Sequence, residues 1–143
     1  MAVRIGIGVV ILVAVGLLAW WLQRRPPEPP PRDSYPVPRQ LDRNDFPRPD
    51  AAWLVALFSS SDCDSCQGLG QKLLALESSD VATVELEAHE HGDLHGRYAL
   101  AAIPTTVVAD HEGVVRKSFV GAFTATDLWA AVAELRDGSD APT

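Results

Sequence analysis

Cysteine is nearly absent from the chain: there are two, Cys63 and Cys66, and they stand two residues apart in the stretch SSSDCDSCQGLG. Neither lies near the end of the N-terminal apolar run, so a lipid-modified cysteine is not indicated. Basic residues are also short, 12 lysines and arginines against 19 aspartates and glutamates, and the net charge of −7 makes nucleic acid an unsuitable partner. Nor does the sequence hold an internal repeat, a glycine-rich phosphate loop, or a spacing that supports a Ser-His-Asp triad. The two cysteines therefore carry most of the chemical interest, and three uses are open to them: a redox pair, half of a metal site, or a structural staple.

What is present begins with a run free of charge from Ile5 to Leu22, IGIGVVILVAVGLLAWWL. It is just long enough to cross about 30 Å of bilayer hydrocarbon as a helix. Trp20 and Trp21 suit the membrane interface at its end, and Arg24 and Arg25 follow closely. The leader MAVR carries little charge and no small-x-small cleavage pattern precedes a mature start, which favours a retained anchor over 1–23 against a cleaved signal. Residues 24–40, RRPPEPPPRDSYPVPRQ, are too rich in proline and too poor in apolar side chains to pack, and are expected to form an extended spacer. A folded domain over 41–138 and a flexible tail over 139–143 complete the expected organisation. Arg24, Arg25, Arg32 and Arg39 outnumber Arg4 and the α-amino group beside the run. The positive-inside rule thus leans toward a single-pass cell-membrane protein with its domain in the cytoplasm, an extracytoplasmic domain being the alternative.

Within 41–138 the pattern alternates. WLVALF, Trp53 to Phe58, is a continuous apolar run suited to a strand buried on both faces. Leu69, Leu73, Leu74 and Leu76 follow at helical spacing, and VATVELE, Val81 to Glu87, reads as a second strand. A short helix carries Leu94, Tyr98 and Ala99. TTVVA, Thr105 to Ala109, and Val114 to Val120 form a hairpin around Asp110 to Gly113. Thr124 to Arg136 closes the domain as an amphipathic helix with Thr124 or Thr126 as N-cap and Gly138 past its end. The order β-α-β-α-β-β-α predicts an α/β fold, a mixed four-stranded sheet flanked by helices.

This order places Cys63 in the turn between a buried strand and a helix, with Cys66 in the first helical turn. Unpaired N–H groups and the positive end of the helix dipole then face the first sulfur. The thiolate is the attacking species in disulfide exchange, and a helix N-terminus favours it. Two intervening residues let the second sulfur resolve a mixed disulfide formed by the first. A C-x-x-C alone is a weak signal, whereas one that opens a helix after a buried strand is a good one.

From about residue 50 to residue 136 the chain resembles the thioredoxin family. WLVALFSSSDCDSC is similar to its strand, loop and redox motif. RYALAAIPTTVV, residues 97–108, is similar to the segment in which a cis-proline faces the disulfide, here Ile103, Pro104 and Thr105. VGAFTATDLWAAVAEL, residues 120–135, is similar to the last strand exit and C-terminal helix. With its anchor and spacer the chain further resembles membrane-tethered bacterial thioredoxin-like proteins. The resemblance implies a thioredoxin-like fold and a thiol-disulfide oxidoreductase in which Cys63 attacks and Cys66 resolves. It implies Ile103, Pro104 and Thr105 as the client-binding edge, protein disulfide or dithiol clients, and an electron donor such as a thioredoxin reductase or membrane thiol carrier. No cofactor beyond the Cys63–Cys66 disulfide is implied.

The departures have a direction. Asp62 and Asp64-Ser65 stand where the family usually has Trp and Gly-Pro, Leu57 stands where it buries an acid, and Gln67 and Gln71 replace its lysine and proline. Negative charge beside Cys63 opposes its thiolate, so Asp62, Asp64 and Ser65 are expected to tune the pair toward a reductant of protein disulfides. The rival sites are a zinc or copper cluster that adds His89, His91 and His95 to the cysteines, and a redox-silent module that holds clients along the Pro104 groove.

Overall fold

The computed structural model describes residues 13–17 and 35–139. Residues 13–17 are helical and exposed, and among the described residues no helix is long and apolar enough to cross a membrane. The rest of the expected anchor, most of the spacer and the tail from residue 140 lie outside the described residues.

Four strands form one sheet in the order β2-β1-β3-β4: β1 Trp53–Ser59, β2 Val81–Glu87, β3 Thr105–Asp110 and β4 Val115–Val120. Among the described residues the sheet is accompanied by the α-helices α1 Leu69–Leu74, α2 Gly92–Arg97 and α3 Ala125–Ser139. β1 pairs in parallel with β2 and antiparallel with β3, and β3 pairs antiparallel with β4. This is the mixed sheet that the alternation of elements predicts.

The unbroken apolar run of β1 follows from its place. It lies inside the sheet, and all seven of its residues are buried. Alternate side chains serve opposite faces. Leu54, Ala56 and Phe58 pack with Leu41, Phe46, Ala82, Leu86 and Val107. Trp53, Val55 and Leu57 pack with Leu69, Leu73, Val108, Leu128 and Val132, under α1 and α3. Thr124 caps α3: its hydroxyl oxygen accepts from the Asp127 N–H at 3.1 Å and its hydroxyl donates to the Asp127 carboxylate at 2.7 Å.

The hairpin turn between β3 and β4 is built around Asp110, whose carboxylate accepts from the Glu112 and Val114 N–H groups at 3.0 Å each. Gly113 completes it at φ +81°. Ahead of β1, residues 39–51 fold onto this end of the sheet. Gln40 bridges to Val114, and the buried Arg43 guanidinium donates to the Asp110 carbonyl at 2.8 Å and the Arg48 carbonyl at 3.2 Å.

One expected element differs. The first helix does not begin at the cysteines. A separate 3₁₀ turn, Asp64–Cys66, carries Cys66, and α1 starts only at Leu69 after Gly68, which takes φ +72°. A left-handed residue cannot continue a right-handed helix, so the two turns are distinct. α1 is six residues long and opens only beyond Gly68, so its N-terminus does not begin at the cysteines as the sequence reading expects.

Candidate active site

β1 delivers the chain to the site. Beyond Ser59 the backbone turns, with the Cys63 N–H donating to the Ser60 carbonyl and the Cys66 N–H to the Cys63 carbonyl, each at 3.1 Å. Cys63 and Cys66 form a disulfide with Cα atoms 5.4 Å apart. The two sulfur-bearing residues are unequal: Cys63 is partly exposed, whereas Cys66 is 5% exposed. Only the first can be reached readily from outside. The Ser65 hydroxyl lies 3.3 Å from the Cys63 sulfur and can donate to it when it carries charge.

The Ile103–Pro104 peptide is cis, as the family resemblance implies. Thr105, the first residue of β3, pairs with Phe58 at the end of β1 that leads to Cys63, so the Ile103-Pro104-Thr105 segment and the disulfide share one end of the sheet. Ile103 is exposed, while Pro104 and Thr105 are buried. Gly121 N–H donates to the Pro104 carbonyl at 2.8 Å, and the Thr105 hydroxyl to the Ala102 carbonyl at 2.7 Å.

The loop is fastened by a carboxylate that the sequence reading passed over. Glu87, at the end of β2, accepts from the N–H groups of Ser61 at 2.8 Å, His89 at 2.7 Å and Glu90 at 3.3 Å. The Ser61 N–H, more than the other contacts, holds the Glu87 carboxyl below the usual carboxylate range. Asp62 is 84% exposed at its side chain and lies 3.2 Å from the His89 ring. Asp64 begins the 3₁₀ turn and is exposed. Leu57 is fully buried and apolar in its surroundings, and its neighbour across the parallel register is Glu85.

The histidines do not converge. His89 is at Asp62, while the His95 ring meets the Leu86 carbonyl at 2.8 Å and packs edge-on against Phe58. His91 precedes α2, its Nδ1 buried without a partner. Both cysteines are committed to the disulfide, and among the described residues no group of three or more His, Cys, Asp or Glu side chains is arranged to hold a metal ion. Glu85 and Glu87 are two apart on β2 and so share one face of the strand. Only the parallel register with β1 shows that this face meets the cysteine loop.

No family model matches the chain, and no curated protein matches it in sequence. Solved structures do. A mutant thioredoxin from Halobacterium salinarum superposes with a TM-score of 0.56 and 24% identity, over 68% of this chain and 86% of that one. The fold is thioredoxin-like. Oxidised mitochondrial thioredoxin 3 from Saccharomyces cerevisiae gives a TM-score of 0.52 and 24% identity over 64% of this chain and 85% of its own. The germline-specific thioredoxin Deadhead from Drosophila melanogaster gives 0.53 and 23% over 61% and 84%. Within this thioredoxin-like fold the C-x-x-C disulfide occupies the loop after β1, at the same end of the sheet as the cis-proline.

Proposed function

We propose that the protein is a thiol-disulfide oxidoreductase that reduces protein disulfides, with Cys63 as the attacking and Cys66 as the resolving cysteine. The observation that carries this reading is the unequal pair: a partly exposed Cys63 bonded to a buried Cys66 at the end of the central strand of a thioredoxin-like fold.

In the dithiol state the Cys63 thiolate attacks one sulfur of the client disulfide, and the other client sulfur leaves as a thiolate and takes a proton. The Cys66 thiol then gives up its proton and attacks Cys63. The Cys63–Cys66 disulfide forms, and the second client thiol is released. The client gains two electrons and the pair loses two, which an external dithiol donor of the thioredoxin-reductase or membrane-carrier kind restores. Ile103, Pro104 and Thr105 would provide an edge at the disulfide's end of the sheet for an extended client segment, with Ile103 as its exposed apolar contact. Asp62 and Asp64 disfavour the Cys63 thiolate, and the Ser65 hydroxyl partly offsets them, so the disulfide state is favoured and the dithiol acts as reductant.

The apolar run from Ile5 to Leu22 and the proline-rich residues 24–40 support a single-pass anchor and spacer that hold this domain near the cell membrane. The arginine count favours a cytoplasmic domain, with an extracytoplasmic one as the alternative. Labelling of Cys63 by a membrane-impermeant thiol reagent on intact cells would contradict that side. For the activity itself, insulin reduction driven by a small dithiol should be lost in Cys63→Ser with the fold intact. Unchanged turnover in that variant would overturn the reading.

A further inference from the structure

One carboxylate at the site is engaged at only one of its two oxygens. Glu85 lies on β2 directly beside Leu57 of β1, on the sheet face covered by α1. Its Oε1 accepts from the Ser59 hydroxyl at 2.8 Å, and among the described residues no donor reaches its Oε2. That oxygen is directed at α1, where a Cβ built on Gly70 would collide with it. Gly70 is therefore a vacancy in the helix that admits the carboxylate. A groove of about 330 Å³ is lined by Glu85 together with both cysteines, Ser59, Gln67, Gly70 and others. The other carboxylate in it, Glu87, is occupied by three backbone N–H groups, and the lining includes no lysine, arginine or histidine.

Cys66 is the group in this groove with a proton to lose. It is 5% exposed, so bulk hydroxide reaches it poorly, and a low-dielectric surround disfavours a bare thiolate. Leu57, the register neighbour of Glu85 on β1, is apolar and can accept nothing. We infer that Glu85 is the proton acceptor for Cys66, acting through water in the shared groove, with Gly70 and Ser59 as the residues that position its carboxylate. This rests on the exchange reading above and assigns its second step. The proton passes from the Cys66 thiol to Glu85 while the Cys66 electron pair forms the bond to Cys63. The bond from Cys63 to the client sulfur breaks, the client thiolate departs with that electron pair, and Glu85 returns the proton to it or to solvent.

The test is a stopped-flow reaction of the reduced full-length chain in detergent with dithiodipyridine, a neutral disulfide that releases one equivalent of thiopyridone at each step. If the wild type releases no second equivalent, the exchange reading fails before any variant is made. Given two phases, Glu85→Gln should leave the first unchanged and slow the second roughly ten- to a hundredfold near pH 7. The deficit should shrink above about pH 9, where thiols ionise without help. Gly70→Ala, whose methyl displaces the carboxylate, should slow the same phase and add nothing in the Glu85→Gln background. A second phase that is unchanged overturns the inference. One that is faster does so too, because removing a negative charge alone would favour the thiolate. Slowing by the same factor at every pH reports structural damage and also overturns it.

Discussion

Reducing the Cys63–Cys66 bond should cost the folded domain little, and this separates a working redox pair from a structural staple. The bond joins residues three apart, so it closes a loop of only four residues. Chain-entropy reasoning then gives a stabilisation of about 2 kcal/mol at most. Neither sulfur belongs to either core cluster: one is built from Leu54, Phe58, Leu86 and Val107 with their neighbours, the other from Leu57, Leu69, Leu73, Leu128 and Val132 with theirs. Nothing in that core has to move when the bond opens. A domain of this size typically has a stability of about 5–15 kcal/mol, so the dithiol form stays folded. Urea titration followed by tryptophan fluorescence, with and without excess reductant, measures the difference. With a slope of about 1 kcal/mol per molar urea, the midpoint should fall by no more than about 2 M on reduction. A reduced protein that is unfolded without denaturant, or a loss beyond roughly 4 kcal/mol, would match a staple in a small domain and refute the argument.

Replacing Asp62 and Asp64 together by Asn removes the negative charge beside Cys63, so alkylation of Cys63 should become faster at low pH and the pair more oxidising. Unchanged or slower alkylation would count against the tuning role. The Tyr98 hydroxyl is pushed up to about 12 by burial and by its bond to the Asp45 carboxylate. Its folded value exceeds the unfolded value of about 10, so the neutral form is favoured on folding. The stability it contributes is fully present below about pH 10 and is lost as pH rises from there toward 12. Melting temperature against pH should show that alkaline loss, reduced in Tyr98→Phe. Leu128 is fully buried between α3 and the sheet, and Leu128→Ala should cost about 2–5 kcal/mol by urea titration, against less than about 1.5 for Leu128→Met.

Much of this architecture is legible in the sequence, for particular reasons. Trp53 to Phe58 reads as a strand buried on both faces because it is one: β1 lies inside the sheet with helices on its Leu57 side and the 39–51 segment on its Phe58 side. Ile103-Pro104-Thr105 was found by resemblance, because nothing local distinguishes a cis-proline from a trans one in sequence. Gly68 lies between the cysteines and the leucines at helical spacing, and its φ of +72° ends one turn and lets another begin. Its conformation depends on tertiary context that spacing does not encode. Glu85 was hidden for a related reason. Alternation gives the face of a strand, whereas the contact between that face and the cysteine loop depends on the register Leu57↔Glu85 and on the missing side chain at Gly70. The packing of residues 39–51 rests on the buried Arg43, a residue type that composition assigns to the surface.

The assignment of Cys63 as the attacking sulfur can be tested in one measurement. Cys66→Ser, reduced and mixed with a disulfide-bonded protein client, should accumulate a covalent adduct through Cys63, detectable by intact mass and reversed by reductant, while Cys63→Ser forms none. No adduct with Cys66→Ser, or an adduct that appears instead with Cys63→Ser, would contradict it.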